Sequence, residues 1–301
     1  MSHNPKVAVV LSSYNGAPHI EEQIESVLMQ TYPNLHLYIR DDGSSDGTSS
    51  ILARFKDDPR VTCVLGQNEG VVQSFFHISE IAANDCDYLA FCDQDDHWFS
   101  DKISRAVSKI KSVERSGLPV AYCSEYFFCD GNLNRVNKSH LNNGRIDFER
   151  CLFENKVSGN TLVINRPLIN RYLSSGCKDV SWHDWWIALI AYALGDVVFD
   201  DYCSLDYRRT GDNVSPTGSG FFSLLNYRLS YFFKSGYLNN VTAQLNKLLH
   251  LYGSDLDHDK LEMLKVFTGH SVWRKAFMRG RLREKISEEL SLRMLFLFGC
   301  L

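Results

Sequence analysis

The feature that most constrains this 301-residue chain is an apolar run that ends in acidic residues. Residues 88–96 read YLAFCDQDD, so Asp93, Asp95 and Asp96 directly follow a stretch typical of a strand buried on both faces. Ligands of open α/β sheets lie at the carboxyl ends of strands. Three carboxylates at this spacing repel one another unless a cation compensates them. We therefore predict a divalent-metal site that holds a phosphorylated ligand, with a solvated acidic turn as the alternative.

Strand-like and helix-like segments alternate along the first part of the chain. Residues 6–11 and 35–39 are short apolar runs typical of strands, and residues 20–30 carry apolar side chains at helical spacing. The second of these strands also ends in acids, Asp41 and Asp42. We predict a mainly parallel, Rossmann-like α/β sheet with helices on both faces, in which both acidic strand ends open onto one edge.

The composition is that of a folded globular protein, with 44% hydrophobic and 23% charged residues. The 9 cysteines form no CxxC pair, so we expect reduced thiols and a cytosolic compartment. The first residues lack the layout of a signal peptide. No apolar run approaches the roughly 18 residues of a spanning helix.

Charge is unevenly distributed along the chain. Residues 221–301 contain 12 Lys and Arg but only 7 Asp and Glu, whereas the whole chain has a net charge of −4. Within this basic region, apolar residues recur at helical spacing, namely Trp273, Phe277, Met278, Leu282 and Ile286. We predict amphipathic helices that lie on a membrane surface. The alternative is that they pack on the rest of the chain or on a second subunit of a homodimer. No nucleic-acid partner is expected, because the region lacks a known reader motif.

Five segments, in this order, resemble the family 2 glycosyltransferases, which are inverting, metal-dependent enzymes of the GT-A fold. They are SSYN at 12–15, DDGSSDGT at 41–48, NEG at 68–70, CDQDD at 92–96 and HDWW at 183–186. The DQDD form and the YRRTGDN segment at 207–213 are most similar to bacterial rhamnosyltransferase-like enzymes of surface polysaccharide synthesis. The resemblance implies a GT-A catalytic domain over 1–219, with its nucleotide-sugar half over 1–100 and its acceptor half over 101–219. A C-terminal amphipathic helical region would occupy 220–301.

By this resemblance, Asp93 and Asp95 contact the ribose and a metal-bound diphosphate, with Mn²⁺ or Mg²⁺ as the cofactor. We assign further nucleotide-sugar contacts to eight side chains: Ser12, Ser13, Tyr14, Asp41, Asp42, Gln94, Arg208 and Arg209. Asp41 and Asp42 have helix capping and turn formation as their alternative role. Tyr14 either stacks on the base or fills its own loop.

The resemblance also makes Asp184 the base that takes the proton of the acceptor hydroxyl group. An inverting transfer needs such a carboxylate on the face opposite the leaving group. The alternative role of Asp184 is an N-cap for the helix that follows. We assign the acceptor side to Trp182, His183, Trp185, Gly159 and Asn160, and we expect Trp186 in the core. Relatives often carry a His where Thr210 stands, so the third metal ligand is left open.

Taken with the resemblance, these residues predict an enzyme that transfers a sugar from dTDP-rhamnose or a UDP-hexose to a glycan hydroxyl group. The acceptor would be lipid-linked, in O-antigen or capsule synthesis on the cytoplasmic face of the bacterial inner membrane. Two other functions stay open. A phosphohydrolase with an aspartyl nucleophile also has paired acids at a strand end, but it needs Thr or Val where His97 stands. The phosphohydrolase also leaves the HDWW segment without a task. The other function is a non-catalytic nucleotide-sugar or carbohydrate-binding module, against which Asp184 argues only if it lies in the cleft.

Overall fold

The computed structural model describes residues 4–141, 147–209 and 237–299. The strands of its central sheet are β1 (Val7–Ser13), β2 (Leu35–Asp41), β3 (Val61–Leu65), β4 (Tyr88–Cys92), β5 (His97–Trp98), β6 (Val120–Cys129), β7 (Arg135–Lys138), β8 (Val163–Asn165) and β9 (Asp196–Arg208). They pair in the order β3-β2-β1-β4-β8-β6-β9-β5, and β7 pairs with β6.

The first half of the sheet is parallel, and the second half is mixed. Strands β3, β2, β1 and β4 run parallel, and all residues of β4 are buried, which explains its unbroken apolar sequence. Strand β8 is antiparallel to both β4 and β6, whereas β9 is parallel to β6. The predicted α/β sheet is confirmed, with β1–β4 all parallel and the second half combining antiparallel pairs with the parallel pair of β6 and β9.

Helices cover both faces of the sheet. They are α1 (Ile20–Leu28), α2 (Thr48–Leu52), α3 (Val71–Ala82), α4 (Lys102–Val113), α5 (Phe148–Cys151), α6 (Arg166–Ser175), α7 (His183–Leu194), α8 (Tyr237–Tyr252), α9 (His258–Thr268), α10 (Val272–Ala276) and α11 (Ile286–Leu297). One core cluster holds the apolar faces of α1 and α4, and the other holds those of α3, α6 and α7. Helix α7 is apolar almost all round, which is typical of a helix buried between two layers.

The C-terminal helices extend the core on the α7 side. Val241, Leu264 and Phe296 belong to the same apolar cluster as α7, and the Phe296 ring lies 5.5 Å from that of Phe153. Packing on the rest of the chain, one of the two alternatives, therefore accounts for one face of this region. The predicted domain boundary at residue 219 lies outside the described residues. Within them, no helix is long and apolar enough to cross a membrane.

Two details differ from the sequence-based expectations. The helical spacing over residues 273–286 does not correspond to one helix, because α10 ends at Ala276 and α11 begins at Ile286. Leu282, assigned to the exposed apolar face, is instead fully buried.

Candidate active site

The carboxyl ends of β1, β2 and β4 meet at one edge of the sheet. In the parallel register Ser13 of β1 lies beside Asp41 of β2, and Leu11 of β1 lies beside Cys92 of β4. Asp93 therefore follows β4 at the end of the sheet where the polar residues Ser12 and Ser13 of β1 lie. This confirms that the two acidic strand ends share one edge.

Gln94 joins the loop after β4 to the loop after β1. Its Oε1 accepts from the Tyr14 N–H at 2.9 Å and from Ser13 Oγ at 3.0 Å, and its Nε2 donates to the Tyr14 carbonyl at 3.2 Å. A Cβ at position 16 would lie 2.4 Å from Gln94 Oε1, so any other residue there would displace this amide. Ser13 is fully buried, so its hydroxyl group serves this junction. Nucleotide contacts of Gln94 and Ser13 stay predictions.

A second set of hydrogen bonds joins the SSYN loop to the DDGSSDGT turn. Asn15 adopts a left-handed φ of 50°, which Asn tolerates better than most residues. Its N–H donates to Ser44 Oγ at 2.8 Å, and its Oδ1 accepts from the Ser45 N–H at 2.9 Å. On the resulting rim the Tyr14 side chain is 48% exposed, as stacking on a base requires. Behind the rim, Ser12 Oγ donates to the hydroxyl group of α3 residue Ser74 at 2.6 Å.

Asp41 and Asp42 are both buried, and the protein itself provides hydrogen-bond donors to them. Asp41 Oδ2 accepts from Ser49 Oγ at 2.7 Å. Asp42 Oδ2 accepts from the Gly70 N–H at 2.9 Å, at the start of α3, and its other oxygen pairs with Arg40. The structure therefore shows the turn-forming part of the alternative role for these two acids, whereas neither of them is a helix N-cap. Their contact with a nucleoside remains a prediction.

The three acids after β4 have different environments. Asp96 is fully buried, and its carboxylate accepts from Asn160 Nδ2 at 2.7 Å and from the Arg208 N–H at 3.3 Å. Asp93 and Asp95 are half-buried, and among the described residues no side chain donates a hydrogen bond to either carboxylate. Asp96 therefore serves the fold, which leaves Asp93 and Asp95 for a cation.

Burial and the charges of Asp93 and Asp95 raise the pKa of Asp96 well above its usual range, so the division between the acids rests on their hydrogen bonds and all three carboxylates lack compensating charge. Burial, together with the charges of Asp95 and Asp184, raises the pKa of Asp93 to about 7. Burial also raises the pKa of Asp95, although the nearby His19 imidazole and Arg208 guanidinium lower it in part. A raised carboxyl pKa means that the ionised form is under-compensated, which a bound cation would correct.

Asp184 lies in the first turn of α7, where a carboxylate interacts favourably with the helix dipole. The N-cap position is Trp182, so the predicted alternative of an Asp184 N-cap is wrong. Its carboxylate accepts from the Trp185 N–H at 2.6 Å, from the Gly159 N–H and from the Asn155 side chain. Burial nevertheless raises the pKa of Asp184 to about 6. The Asp184 charge contributes to the raised pKa of Asp93, so the two carboxylates lie within electrostatic range of each other.

His183 is buried beside Asp184. Its ring stacks on that of Phe75 at 4.2 Å and lies 5.3 Å from that of Phe91. Burial lowers the pKa of His183 to about 3, so the imidazole is neutral at physiological pH. Neither ring nitrogen has a hydrogen-bond partner among the described residues. A buried neutral imidazole of this kind does not compete with Asp184 as the base, and its predicted acceptor contact is untested.

Three of the residues assigned to the acceptor side instead support the structure around Asp184. Trp185 is 3% exposed, and its indole N–H donates to the Cys151 carbonyl at 2.7 Å, so it belongs to the core and its acceptor assignment is wrong. Asn160 is 1% exposed, and its side-chain amide donates a hydrogen bond to Asp96. Gly159 donates its backbone N–H to the Asp184 carboxylate. Trp182, packed against the core but only partly buried, retains a surface for a ligand.

The two arginines at the end of β9 differ in their contacts. The Arg208 guanidinium is buried, pairs with Glu22 and donates from Nε to the Asp95 carbonyl at 2.9 Å. Arg208 thus holds the acidic loop in place, and diphosphate contact would require it to leave these partners. The Arg209 guanidinium stacks over the Phe128 ring at 3.7 Å and is half-buried. Its contact with a diphosphate stays a prediction.

The donor set at Asp93 and Asp95 fits Mg²⁺ or Mn²⁺. Both ions accept carboxylate oxygens and commonly share their coordination with substrate phosphates. The described residues contain no cluster of three or more His, Cys, Asp or Glu side chains placed to hold a metal. Two carboxylates would therefore need oxygens from a ligand to complete the shell. Thr210, where a third protein ligand was left open, lies outside the described residues.

Two residues of the site were missed by sequence reasoning. Lys102 lies behind the acidic loop, and it could have been found because it shares the buried face of α4 with Ala106 and Ile110. His19, just before α1, lies near Asp95. No sequence pattern signals His19, because its proximity depends on the pairing of β1 with β4.

Comparison with known proteins gives concordant results. The family model described as glycosyl transferase family 2 matches residues 8–172. The dTDP-rhamnosyl transferase RfbG of Shigella flexneri is 27% identical over 190 residues, which cover 59% of this chain and 63% of that protein. The UDP-Glc:alpha-D-GlcNAc-diphosphoundecaprenol beta-1,3-glucosyltransferase WfaP of Escherichia coli is 34% identical over 177 residues, which cover 58% of this chain and 64% of that protein. The chain thus spans less than two thirds of the length of these curated relatives.

Among solved structures, the mannosyltransferase PcManGT from Pyrobaculum calidifontis, in complex with GDP-Man and Mn²⁺, superposes with a TM-score of 0.53. The match covers 99% of this chain and 87% of that one, at 15% sequence identity. At this identity the likeness concerns the fold, which is GT-A with additional C-terminal helices, as predicted.

Proposed function

The chain belongs to glycosyl transferase family 2, and on that basis we propose that it is an inverting glycosyltransferase that moves a sugar from a nucleoside diphosphate donor to a hydroxyl group of a glycan. One observation carries the proposal. Two carboxylates to which no described side chain donates, Asp93 and Asp95, lie at the sheet edge, and a third, Asp184, lies close enough to raise the pKa of Asp93. The first two suit a metal-bound diphosphate, and the third suits a base.

In the proposed reaction Asp93 and Asp95 hold the divalent cation. When bound, the cation neutralises the negative charge that develops on the departing diphosphate. Gly159 and Trp185 orient the Asp184 carboxylate through their N–H groups, and Asp184 takes the proton of the acceptor hydroxyl group. A pKa of about 6 makes Asp184 a stronger base than an ordinary carboxylate while leaving it ionised at neutral pH.

The proposed donor is dTDP-rhamnose, with UDP-hexoses second. RfbG is named as a dTDP-rhamnosyl transferase, and WfaP is named for a UDP-Glc donor and a diphosphoundecaprenol-linked acceptor. We extend both chemistries to this chain, and we propose a lipid-linked glycan acceptor in bacterial surface polysaccharide synthesis. An incubation of the full chain with a panel of nucleotide sugars tests this function, scored by released nucleoside diphosphate and by product.

Release of dTDP or UDP that requires both Mn²⁺ and an acceptor supports the proposal. Release of inorganic phosphate from simple esters would instead support the phosphohydrolase. Binding of nucleotide sugars without any turnover would support the non-catalytic module. No turnover with any dTDP donor would reject rhamnose as the donor sugar and leave the UDP-hexoses.

We further propose that the protein is peripheral on the cytoplasmic face of the membrane. Four exposed apolar side chains lie along one stripe of α11 and its C-terminal end, at intervals of four residues: Ile286, Leu290, Met294 and Phe298. Nearby, Trp273 and Phe277 are 66% and 70% exposed and stack on each other at 5.8 Å. Exposed Arg and Lys side chains flank them, at Arg274, Arg279, Arg281 and Lys285. An apolar surface with a basic rim is complementary to an anionic membrane.

Flotation with vesicles of anionic and of neutral lipid tests this placement. Phe277→Glu should reduce recovery with anionic vesicles, whereas Val136→Glu, at a 74% exposed apolar residue of β7, is the matched control and should not. Equal recovery of both variants with the parent protein would remove the membrane role. A concentration-dependent dimer that Phe277→Glu disrupts would assign the surface to a second subunit instead.

A further inference from the structure

Residues 151–160 form a bridging segment between the proposed base and the C-terminal helices. Towards the site, Asn155 and Gly159 both donate hydrogen bonds to the Asp184 carboxylate. Gly159 is in close contact with that residue, since a Cβ at Gly159 would lie 3.4 Å from Asp184 Cβ. The Asn155 side chain is held by its own segment, because it donates to the Val157 carbonyl and accepts from the Val157 N–H, both at 3.0 Å. The conformation of the bridging segment therefore determines where two of the donors to Asp184 lie.

The start of the bridging segment packs on the C-terminal helices. Phe153 is 3% exposed, and its ring lies 4.9 Å from that of Phe267 and 5.5 Å from that of Phe296. Phe267 belongs to α9 and Phe296 to α11. This apolar contact anchors the segment to both helices.

Polar contacts continue the attachment along the next residues. Glu154 Oε2 accepts from the Glu284 N–H at 2.9 Å, and the Lys156 ammonium group pairs with the Glu284 carboxylate. Lys156 Nζ also lies 3.6 Å from Glu154 Oε1, so one Lys lies between two Glu side chains. The Glu154 and Lys156 side chains are only 13% and 19% exposed, so water screens these charges less than at an open surface. The residue between them is Asn155, which contacts Asp184.

We infer that Glu154, Lys156 and Glu284 are positioning residues for the base, through which the loop before α11 holds the bridging segment against Asp184. The inference rests on the proposed role of Asp184 in the transferase. Loss of these contacts should displace the hydrogen-bond donors of the base and slow the transfer step, because small displacements of a catalytic group are costly. Binding of the nucleotide sugar, assigned to the loops after β1, β2 and β4, should not change.

Glu284→Lys tests this, because it turns the attraction to Lys156 into repulsion. Asp255→Lys is the matched control. Asp255 pairs with Arg171 of α6 at 2.8 Å, so this ion pair also joins the C-terminal region to the catalytic half, but outside the bridging segment. The two carboxylates are similarly exposed, at 32% for Glu284 and 37% for Asp255. Only Glu284→Lys disturbs the attachment of the segment that contacts the base.

The double variant Lys156→Glu/Glu284→Lys adds a rescue. The introduced lysine would face Glu154 and the introduced glutamate, so one Lys again lies between two Glu side chains. A positioning contact should be restored by this exchange, whereas two unrelated structural defects should add.

The first measurement is hydrogen exchange followed by mass spectrometry on the full chain, which needs no ligand. We expect exchange over residues 151–160 to be about tenfold faster in Glu284→Lys than in the parent protein. Asp255→Lys should exchange there at the parent's rate, and the double variant should approach it.

The second measurement is steady-state transfer with Mn²⁺. UDP-glucose and dTDP-rhamnose are the donor probes, and a synthetic GlcNAc diphospholipid is the acceptor probe. In Glu284→Lys kcat should fall about ten- to a hundredfold. The affinity for UDP or dTDP should stay within about twofold of the parent's, which separates positioning of the base from loss of donor binding.

Each outcome supports or overturns the inference. Faster exchange and a lower kcat in Glu284→Lys, both rescued in the double variant, support it. Unchanged exchange or unchanged kcat in Glu284→Lys overturns it and leaves the transferase intact. An equal loss in Asp255→Lys, or a loss of donor affinity, would indicate general destabilisation and also overturns it. No transfer by the parent with any donor overturns the proposed function and the positioning role with it. Should Glu284→Lys fail to fold, Glu284→Gln removes the charge without reversing it and is compared with Asp255→Asn.

Discussion

Asn160 donates a hydrogen bond to Asp96 at 2.7 Å, and this contact separates the three acids of the CDQDD segment into two roles. Asp96 is fully buried and holds the loop to the second half of the sheet. Asp93 and Asp95 project from the same loop without side-chain hydrogen-bond donors among the described residues. Because Asn160 follows Gly159, which contacts Asp184, one short turn fixes the proposed base relative to the proposed metal ligands.

The first prediction concerns the junction between the two donor-side loops. In Gly16→Ala the new Cβ would lie 2.4 Å from Gln94 Oε1, so the amide must move and release the Tyr14 backbone. We expect donor affinity to fall about tenfold and Tm to decrease. Gly131→Ala is the control, because a Cβ at Gly131 meets nothing within 4 Å. Calorimetric titration with a nucleoside diphosphate measures the effect. Unchanged affinity in Gly16→Ala would contradict a role of the SSYN loop in donor binding.

The second prediction concerns pH and the metal-free protein. The folded-state pKa of Asp93, about 7, lies above the ordinary value of 3.8. The folded state therefore binds this proton at higher pH than the unfolded state, so Asp93 lowers stability at pH 8 and the penalty fades as pH falls through about 7 towards 4. Asp93→Asn should be more stable than the parent at pH 8, and this advantage should shrink on acidification.

Urea unfolding at several pH values, in EDTA, measures that difference. Saturating Mn²⁺ should stabilise the parent at pH 8 and thereby reduce the advantage of Asp93→Asn. If Asp93→Asn were less stable than the parent at every pH, the carboxylate would have a compensating partner and the cation site would be misplaced.

The third prediction concerns the base. Asp184→Asn keeps the shape and most hydrogen bonds of the side chain but removes the proton acceptor, so transfer should slow by about 10²- to 10⁴-fold. Nucleoside diphosphate affinity should change little. Asp179→Asn, at an exposed acid preceding α7, is the control and should remain active. The separation of kcat from donor affinity is the diagnostic readout, and a loss confined to donor affinity would move Asp184 out of the base role.

Sequence reasoning predicted the parts of the site that depend on local pattern. The unbroken apolar run of β4 and the acids that follow it sufficed to place Asp93 and Asp95 at a sheet edge, because parallel pairing aligns strand ends. Burial within one motif was harder to predict. Trp182 and Trp185 are both tryptophans of the same segment, yet Trp185 is core because Cys151 supplies a partner for its indole N–H.

Contacts between distant segments were the least predictable. Asn160 and Lys102 are 58 positions apart, and their contact depends on how β8 and β9 join the sheet. Buried and exposed apolar residues alternate around α11 without the pattern of a simple amphipathic helix, because one side packs on the core and the other faces outward. Leu282 lies between α10 and α11 and belongs to neither, so helical spacing could not distinguish this buried residue from exposed Ile286.

The central claim is that Asp93 and Asp95 bind a divalent cation that secures the donor diphosphate. The most direct measurement is calorimetric titration of dTDP and UDP into the parent protein, Asp95→Asn and the control Asp87→Asn, each with Mn²⁺ and with EDTA. Asp87 lies at the opposite end of β4 from the acidic loop, so Asp87→Asn removes an equal charge away from the site. The account predicts Mn²⁺-dependent binding in the parent and in Asp87→Asn, and its loss in Asp95→Asn. Equal binding by Asp95→Asn, or full sugar transfer by the parent protein in excess EDTA, would contradict it.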